Sequence, residues 1–141
     1  MTRVNVVPVG ELTDNFLMAE HFELPRLFPL VLKAVERNDT DIPEIYRLGK
    51  GHMRFFYNKL TYLFERHFSL AKEGQKRGLT LSVDPYVDHA LLAPCWYGPE
   101  IPVFYWQNYV PTPEAIQLNW DRLQFRRRYD GGSYPSYQGS R

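Results

Sequence analysis

The chain begins MTRVN, and a methionine followed by a residue as small as Thr2 is the kind that bacterial processing removes. Its loss would expose the α-amine of Thr2. An α-amine with a pKa of about 7.7–8.0 is roughly a tenth unprotonated at pH 7, while a lysine near 10.4 is free at less than about one part in a thousand. A freed Thr2 is therefore a far better amine nucleophile than any lysine, although five residues alone leave open whether this terminus works or merely starts the chain. A second group lies on the first helical stretch. A step of about 100° per residue gathers Phe16, Glu23, Arg26, Lys33 and Arg37 within a sector of about 100°. One acid among cations is either a solvated face with ordinary ion pairs or a carboxylate held beside cations that also grip a phosphate backbone. A third group is C-terminal, where Arg122 and Arg126 share a face and are followed by Arg127, Arg128, Tyr129, Tyr134 and Tyr137. Interleaved arginines and rings suit phosphates and unpaired bases, but an arginine run also complements the end of a helix.

Other chemistries find little support. His21, His52, His67 and His89 are scattered, with no HExxH, paired-cysteine or aspartate-loop spacing, so neither a metal nor a cofactor is expected. Asp84, Asp88 and His89 read as polar residues of a loop, and no GxSxG or phosphate-binding glycine loop occurs.

The elements that must position these groups read as all-α: a compact single domain, 1–141, of about three helices with long loops and an extended N-terminal arm over 1–12. The first helix is predicted over 13–37, with Leu17, Leu24, Phe28, Val31 and Val35 inward and a kink or break at Pro25 and Pro29. A second is predicted over 52–77, with Phe56, Leu60, Leu63, Phe64 and Leu70 or Ala71 inward and Gly78 ending it. The third has the clearest start, with Thr112 as N-cap, Pro113 at the first helical position and Glu114 in the first turn. Residues 79–111 are aromatic and proline-rich without sustained period, and read as a long loop containing Cys95, Trp96 and Trp106; residues 129–141 read as a basic, tyrosine-rich tail.

With 141 residues, 44% hydrophobic content and a net charge of +1, one core is affordable in size and any polyanion must be met by local clusters of charge. The single cysteine rules out an intrachain disulfide and fits a reducing cytoplasm. No apolar run reaches the length of a membrane span.

Three stretches carry a family likeness. MTRVNVVPVGELTDNFLMAEHFELPRLF, GKGHMRFFYNKLTYLFERHFSLAKEGQKRG, and YVPTPEAI with the following DRLQFRR together resemble the bacteriophage endonuclease V family of pyrimidine-dimer DNA glycosylases. The similarity spans most of the chain apart from 79–106 and the extreme tail. It implies a mostly helical, cofactor-free and metal-free enzyme that cuts the glycosidic bond at a damaged or modified pyrimidine in double-stranded DNA and nicks the strand by β-elimination. The family's nucleophile corresponds to Thr2 and its carboxylate to Glu23; its DNA-contacting cations correspond to Arg3, Arg26, Arg122 and Arg126, with Arg127, Arg128 and Tyr129 continuing that surface. Two positions depart from the pattern, Phe22 replacing an arginine and Phe16 a histidine, which bears on the base recognised. The resemblance implies a monomer acting at the nucleoid of a bacterial or phage-infected cell. A non-catalytic DNA-binding or virion-associated relative, and a helical protein-binding module, remain the alternatives.

Overall fold

In a computed structural model, residues 4–81, 95 and 100–129 are described, the last four of them by backbone alone. Thr2, Arg3, Asp84, Asp88, His89, Trp96 and the tail beyond Tyr129 lie outside these residues, and so does most of the expected 79–111 loop.

The first helix begins where the capping rule places it. Thr13 Oγ1 accepts the Phe16 N–H at 3.3 Å, and α1 runs Asp14–Glu23. Pro25 then falls in a 3-10 turn, Leu24–Arg26, before α2 resumes over Leu27–Glu36. The kink expected in the middle of 13–37 is this turn. Lys33 and Arg37 follow on α2 and at its C-cap, where Arg37 meets Asp39 at 3.4 Å.

The helix expected over 52–77 is also two helices, α3 at His52–Phe55 and α4 at Leu60–Lys76. The break is made by Lys59, whose backbone leaves the helical region (φ −127°, ψ 45°). Its ammonium turns back to the Phe55 carbonyl at 2.7 Å and lies 3.7 Å over the Phe55 ring. At the other end of α4, Gly78 adopts φ +87°, and the N–H groups of Gly78 and Leu79 return to the carbonyls of Gln75 and Gly74, the paired bonds of a Schellman stop. The last helix, α5, runs Pro113–Tyr129, with Thr112 Oγ1 accepting the Ala115 N–H at 3.1 Å, as its sequence predicts.

The helix α4 is central. It buries residues on several sides, among them Leu60, Leu63, Leu70 and Ala71, and α1 packs along it. Leu17, Leu24, Phe28 and Val31 close over it from one side, with Trp120 and Leu123 of α5 also in the core. Of the aromatic stretch, Cys95 is helical in backbone and buried, its thiol directed at the Phe28 carbonyl at 3.7 Å, while Trp106 stacks on Phe64. These groups are packing rather than exposed stacking platforms. No helix among the described residues is long and apolar enough to cross a membrane.

The N-terminal arm is the unusual part. Val4, Asn5, Val6 and Val7 are all buried, and two arginines of α4 hold the chain that follows. Arg66 Nη1 donates to the Val7 carbonyl at 2.6 Å. Three turns on and on the same side of α4, Arg77 donates to the carbonyls of Val9, Gly10 and Leu12 at 2.7 to 3.3 Å.

Two measurements follow from this packing. Arg66 also forms a buried pair with Glu20, and removing one partner of such a pair leaves an uncompensated charge. Arg66→Met should therefore cost about 3–5 kcal/mol in urea unfolding, more than an exposed arginine change could. Burial meanwhile pushes the Lys59 amine down from 10.5 to about 8. Between those values the unfolded chain binds a proton that the folded one does not, so stability rises as pH climbs from about 8 toward 10. This rise should disappear from the pH profile of unfolding midpoints in Lys59→Met.

Candidate active site and nucleic-acid interface

The site is framed by the way the arm is fastened. A charge taken out of water must be met by oppositely charged and hydrogen-bonding groups. Glu20 on α1 is 2% exposed, and both of its oxygens are engaged. Arg66 reaches Oε2 through Nε at 2.8 Å and Oε1 through Nη2 at 3.0 Å, and Asn5 Nδ2 donates to Oε1 at 2.8 Å. Asn119 of α5 completes the arrangement. Its Oδ1 accepts the Val6 and Val7 N–H groups at 2.6 and 3.2 Å, and its Nδ2 donates to Asn5 Oδ1 at 2.8 Å. Tyr62 OH donates to the Asn5 carbonyl at 3.3 Å, its phenol pushed up to about 12 by burial.

One further bond fastens the start of the described chain. The Val4 N–H donates to His52 Nε2 at 3.1 Å while His52 Nδ1 lies 2.9 Å from the Arg47 carbonyl. An imidazole that accepts at Nε2 and faces a carbonyl at Nδ1 must carry its proton on Nδ1. His52 is thus a neutral bridge between the arm and the loop before α3. None of Asn5, Glu20, His52, Arg66 and Asn119 was singled out from sequence as a site residue. Their signal is only that polar residues recur on otherwise apolar faces, which does not reveal partners as far as 114 positions apart.

Glu23 lies three residues beyond Glu20, one turn further along α1. Its surroundings differ. The residue is half-buried, and Oε1 is inaccessible yet has no hydrogen-bond partner among the described residues. Such an atom forgoes about 1–3 kcal/mol or more, and is retained where something besides stability is selected. Arg26, at the end of the 3-10 turn, is exposed. Phe22 is 58% exposed, and its ring stands edge-on to His21 at 5.2 Å and 87°. His21 in turn stacks on His67 at 4.8 Å, so the exposed ring rests on a buried support. Phe16 is half-buried against the core.

On α5, Arg122 is partly exposed and its Nη2 is buried without a hydrogen-bond partner among the described residues. Arg126, Arg127, Arg128 and Tyr129 lie on the last turns of the same helix. The structure thus brings Phe22, Glu23 and Arg26 together at the α1–α2 turn and puts the arginine run on one helix, while Thr2 and Arg3 fall outside the described residues. No group of three or more His, Cys, Asp and Glu side chains among the described residues is arranged to hold a metal ion.

The sequence pattern of the family described as pyrimidine dimer DNA glycosylase matches residues 1–87, more than half of the chain. That stretch takes in the arm, α1 to α4 and the Phe22–Arg26 turn, and leaves α5 with its arginines outside. The chain therefore belongs to the pyrimidine dimer DNA glycosylase family, the endonuclease V type of DNA repair glycosylase acting on DNA.

Proposed function

We propose that this glycosylase also nicks DNA at the site it clears, using the α-amine of Thr2 as nucleophile and Glu23 as its carboxylate, on damaged or modified pyrimidines such as ultraviolet dimers. The observation that carries this reading is the unpartnered, buried Oε1 of Glu23 beside the exposed Arg26. The fastened arm supports it. Thr2 is two residues from Val4 in sequence, and the Val4 N–H is held by His52. Positioning of that kind supplies much of what an amine needs to react with a bound sugar.

The steps balance. The amine attacks C1′ of the deoxyribose, the glycosidic bond breaks, and its electron pair leaves with the base, which takes up a proton. Loss of the amine's own proton and opening of the sugar give an iminium ion. That cation acidifies C2′–H; once the proton is removed, the electrons form a C2′–C3′ double bond and the 3′ phosphate departs. Glu23 stabilises the positive sugar and accepts and returns protons, while Arg3, Arg26, Arg122 and Arg126 hold flanking phosphates, with Arg127, Arg128 and Tyr129 extending that grip. The protein works as a monomer in the cytoplasm.

Phe22 accounts for base choice in this scheme. A supported, exposed ring beside the carboxylate offers a stacking surface to bases at a distorted step, worth about 1–3 kcal/mol per base. Phe16, half-buried against the core, acts on the same turn only through packing.

Borohydride trapping on a duplex containing an abasic site tests the chemistry. Protein lacking Met1 should form a covalent adduct, and acetylation of its terminal amine should abolish it; undiminished trapping after acetylation would mean another nucleophile. Glu23→Gln should slow excision by roughly 10²–10⁴-fold while leaving DNA affinity within about twofold. Excision at the original rate would assign the carboxylate's role elsewhere, and binding without any nicking would point to a non-catalytic relative. Phe22→Ala should slow release of a damaged base by about tenfold and leave cleavage of a pre-formed abasic site unaltered, a contrast readable on the two substrates side by side.

A further inference from the structure

The loop before α3 builds a pocket that none of the roles above uses. It is open, about 680 Å³ in volume, and its walls carry Arg47, Lys50 and Arg54 against the single acid Asp41. The three cations are not equivalent. Arg54 Nη1 is spent on Asp39 Oδ2 at 2.8 Å and on the Asp41 carbonyl at 2.9 Å, and its guanidinium lies 5.5 Å over the Tyr57 ring. That hydrogen bond, with the Asp41 N–H on the other oxygen, holds the Asp39 carboxyl below its usual range. Arg54 is therefore part of the wall. Arg47 and Lys50 are exposed and form no ion pair with a described residue.

The position of Arg47 is built in. Gly51 has φ +88°, and a Cβ there would stand 3.2 Å from Arg47 Cδ and 3.3 Å from its Nε. The bare Cα of Gly51 gives the arginine stem a surface to lie on, and the backbone conformation excludes most other residues. The Arg47 backbone carbonyl is bridged by His52 to the Val4 N–H, so the backbone that carries this cation is tied to the arm.

We infer that the pocket of Arg47 and Lys50 holds a backbone phosphate of the DNA duplex, adjoining the reacting site. The inference rests on the DNA chemistry proposed above. Two exposed cations on a wide, open wall make a weak trap for a free small anion, which would have to surrender its full translational freedom to be held. They suit a phosphodiester that is already tethered by contacts elsewhere on the same strand, because each neutralised phosphate then adds counterion release with little new entropy cost. Neither residue matches a position for which the family resemblance implies a DNA contact.

Fluorescence anisotropy with an undamaged duplex, measured from 50 to 200 mM salt, tests this through the R47Q/K50Q variant, which keeps both stems and removes both charges. The expected result is roughly 10- to 100-fold weaker binding at the lowest salt and a plot of log affinity against log salt less steep by about one to two. Unchanged affinity and slope would overturn the inference. If the double variant folds poorly, as judged by its urea midpoint, K50Q alone should reduce the slope by about one, and an unaltered slope would again count against the pocket. Because this assay reads binding only, a wild-type protein that fails to trap would sink the Thr2 mechanism without touching this result.

Discussion

The buried carboxylate of Glu20 is the constraint on which the rest of this structure depends. Placing a charge there costs several kcal/mol unless it is matched; Asn5 of the arm and Arg66 of α4 match it, and Asn119 of α5 holds Asn5 in turn. Asn5 and Asn119 link Arg66 and Glu20 to the backbone of Val6 and Val7. A one-residue slip of the arm would strand the Asn5 amide and the Arg66 guanidinium together. The network thus contributes register of the arm more than raw stability.

Two acids one turn apart on α1 have opposite environments. Both oxygens of Glu20 accept hydrogen bonds from Asn5 and Arg66. Glu23 keeps one oxygen without a described partner, beside a turn where Pro25 has broken the helix. Phe22, Glu23 and Arg26 all lie at this break.

The cations divide in the same manner. Arg66, Arg77 and Lys59 turn inward, hold backbone carbonyls and are lost to any polyanion. Arg26, Arg47 and Lys50 remain outside. Arg54, Arg66 and Arg77 cancel against Asp39, Glu20 and Glu73, so the cations left to meet a polyanion are individual exposed ones and not the total basic content.

Local chemistry made several features legible in the residues themselves. Thr112–Pro113 started α5, Gly78 ended α4, and Pro25 broke the first helix, because capping, a positive φ and a missing N–H act within one turn. The apolar stripe through Leu17, Leu24, Phe28 and Val31 identified the core side for the same reason. Glu23 and Arg26 were visible together on one projected helix face, Phe22 stood out only against the family pattern, and the three-part likeness to endonuclease V enzymes named the chemistry. Tertiary structure alone decided the rest. Lys59 split the expected second helix because its amine found Phe55; Arg37 paired with Asp39; Trp106 became packing on Phe64; and Glu20, Arg66, Asn5 and Asn119 emerged as the clamp. Each of those outcomes depends on which distant group a polar side chain meets once water is excluded, and no spacing within a single segment encodes that.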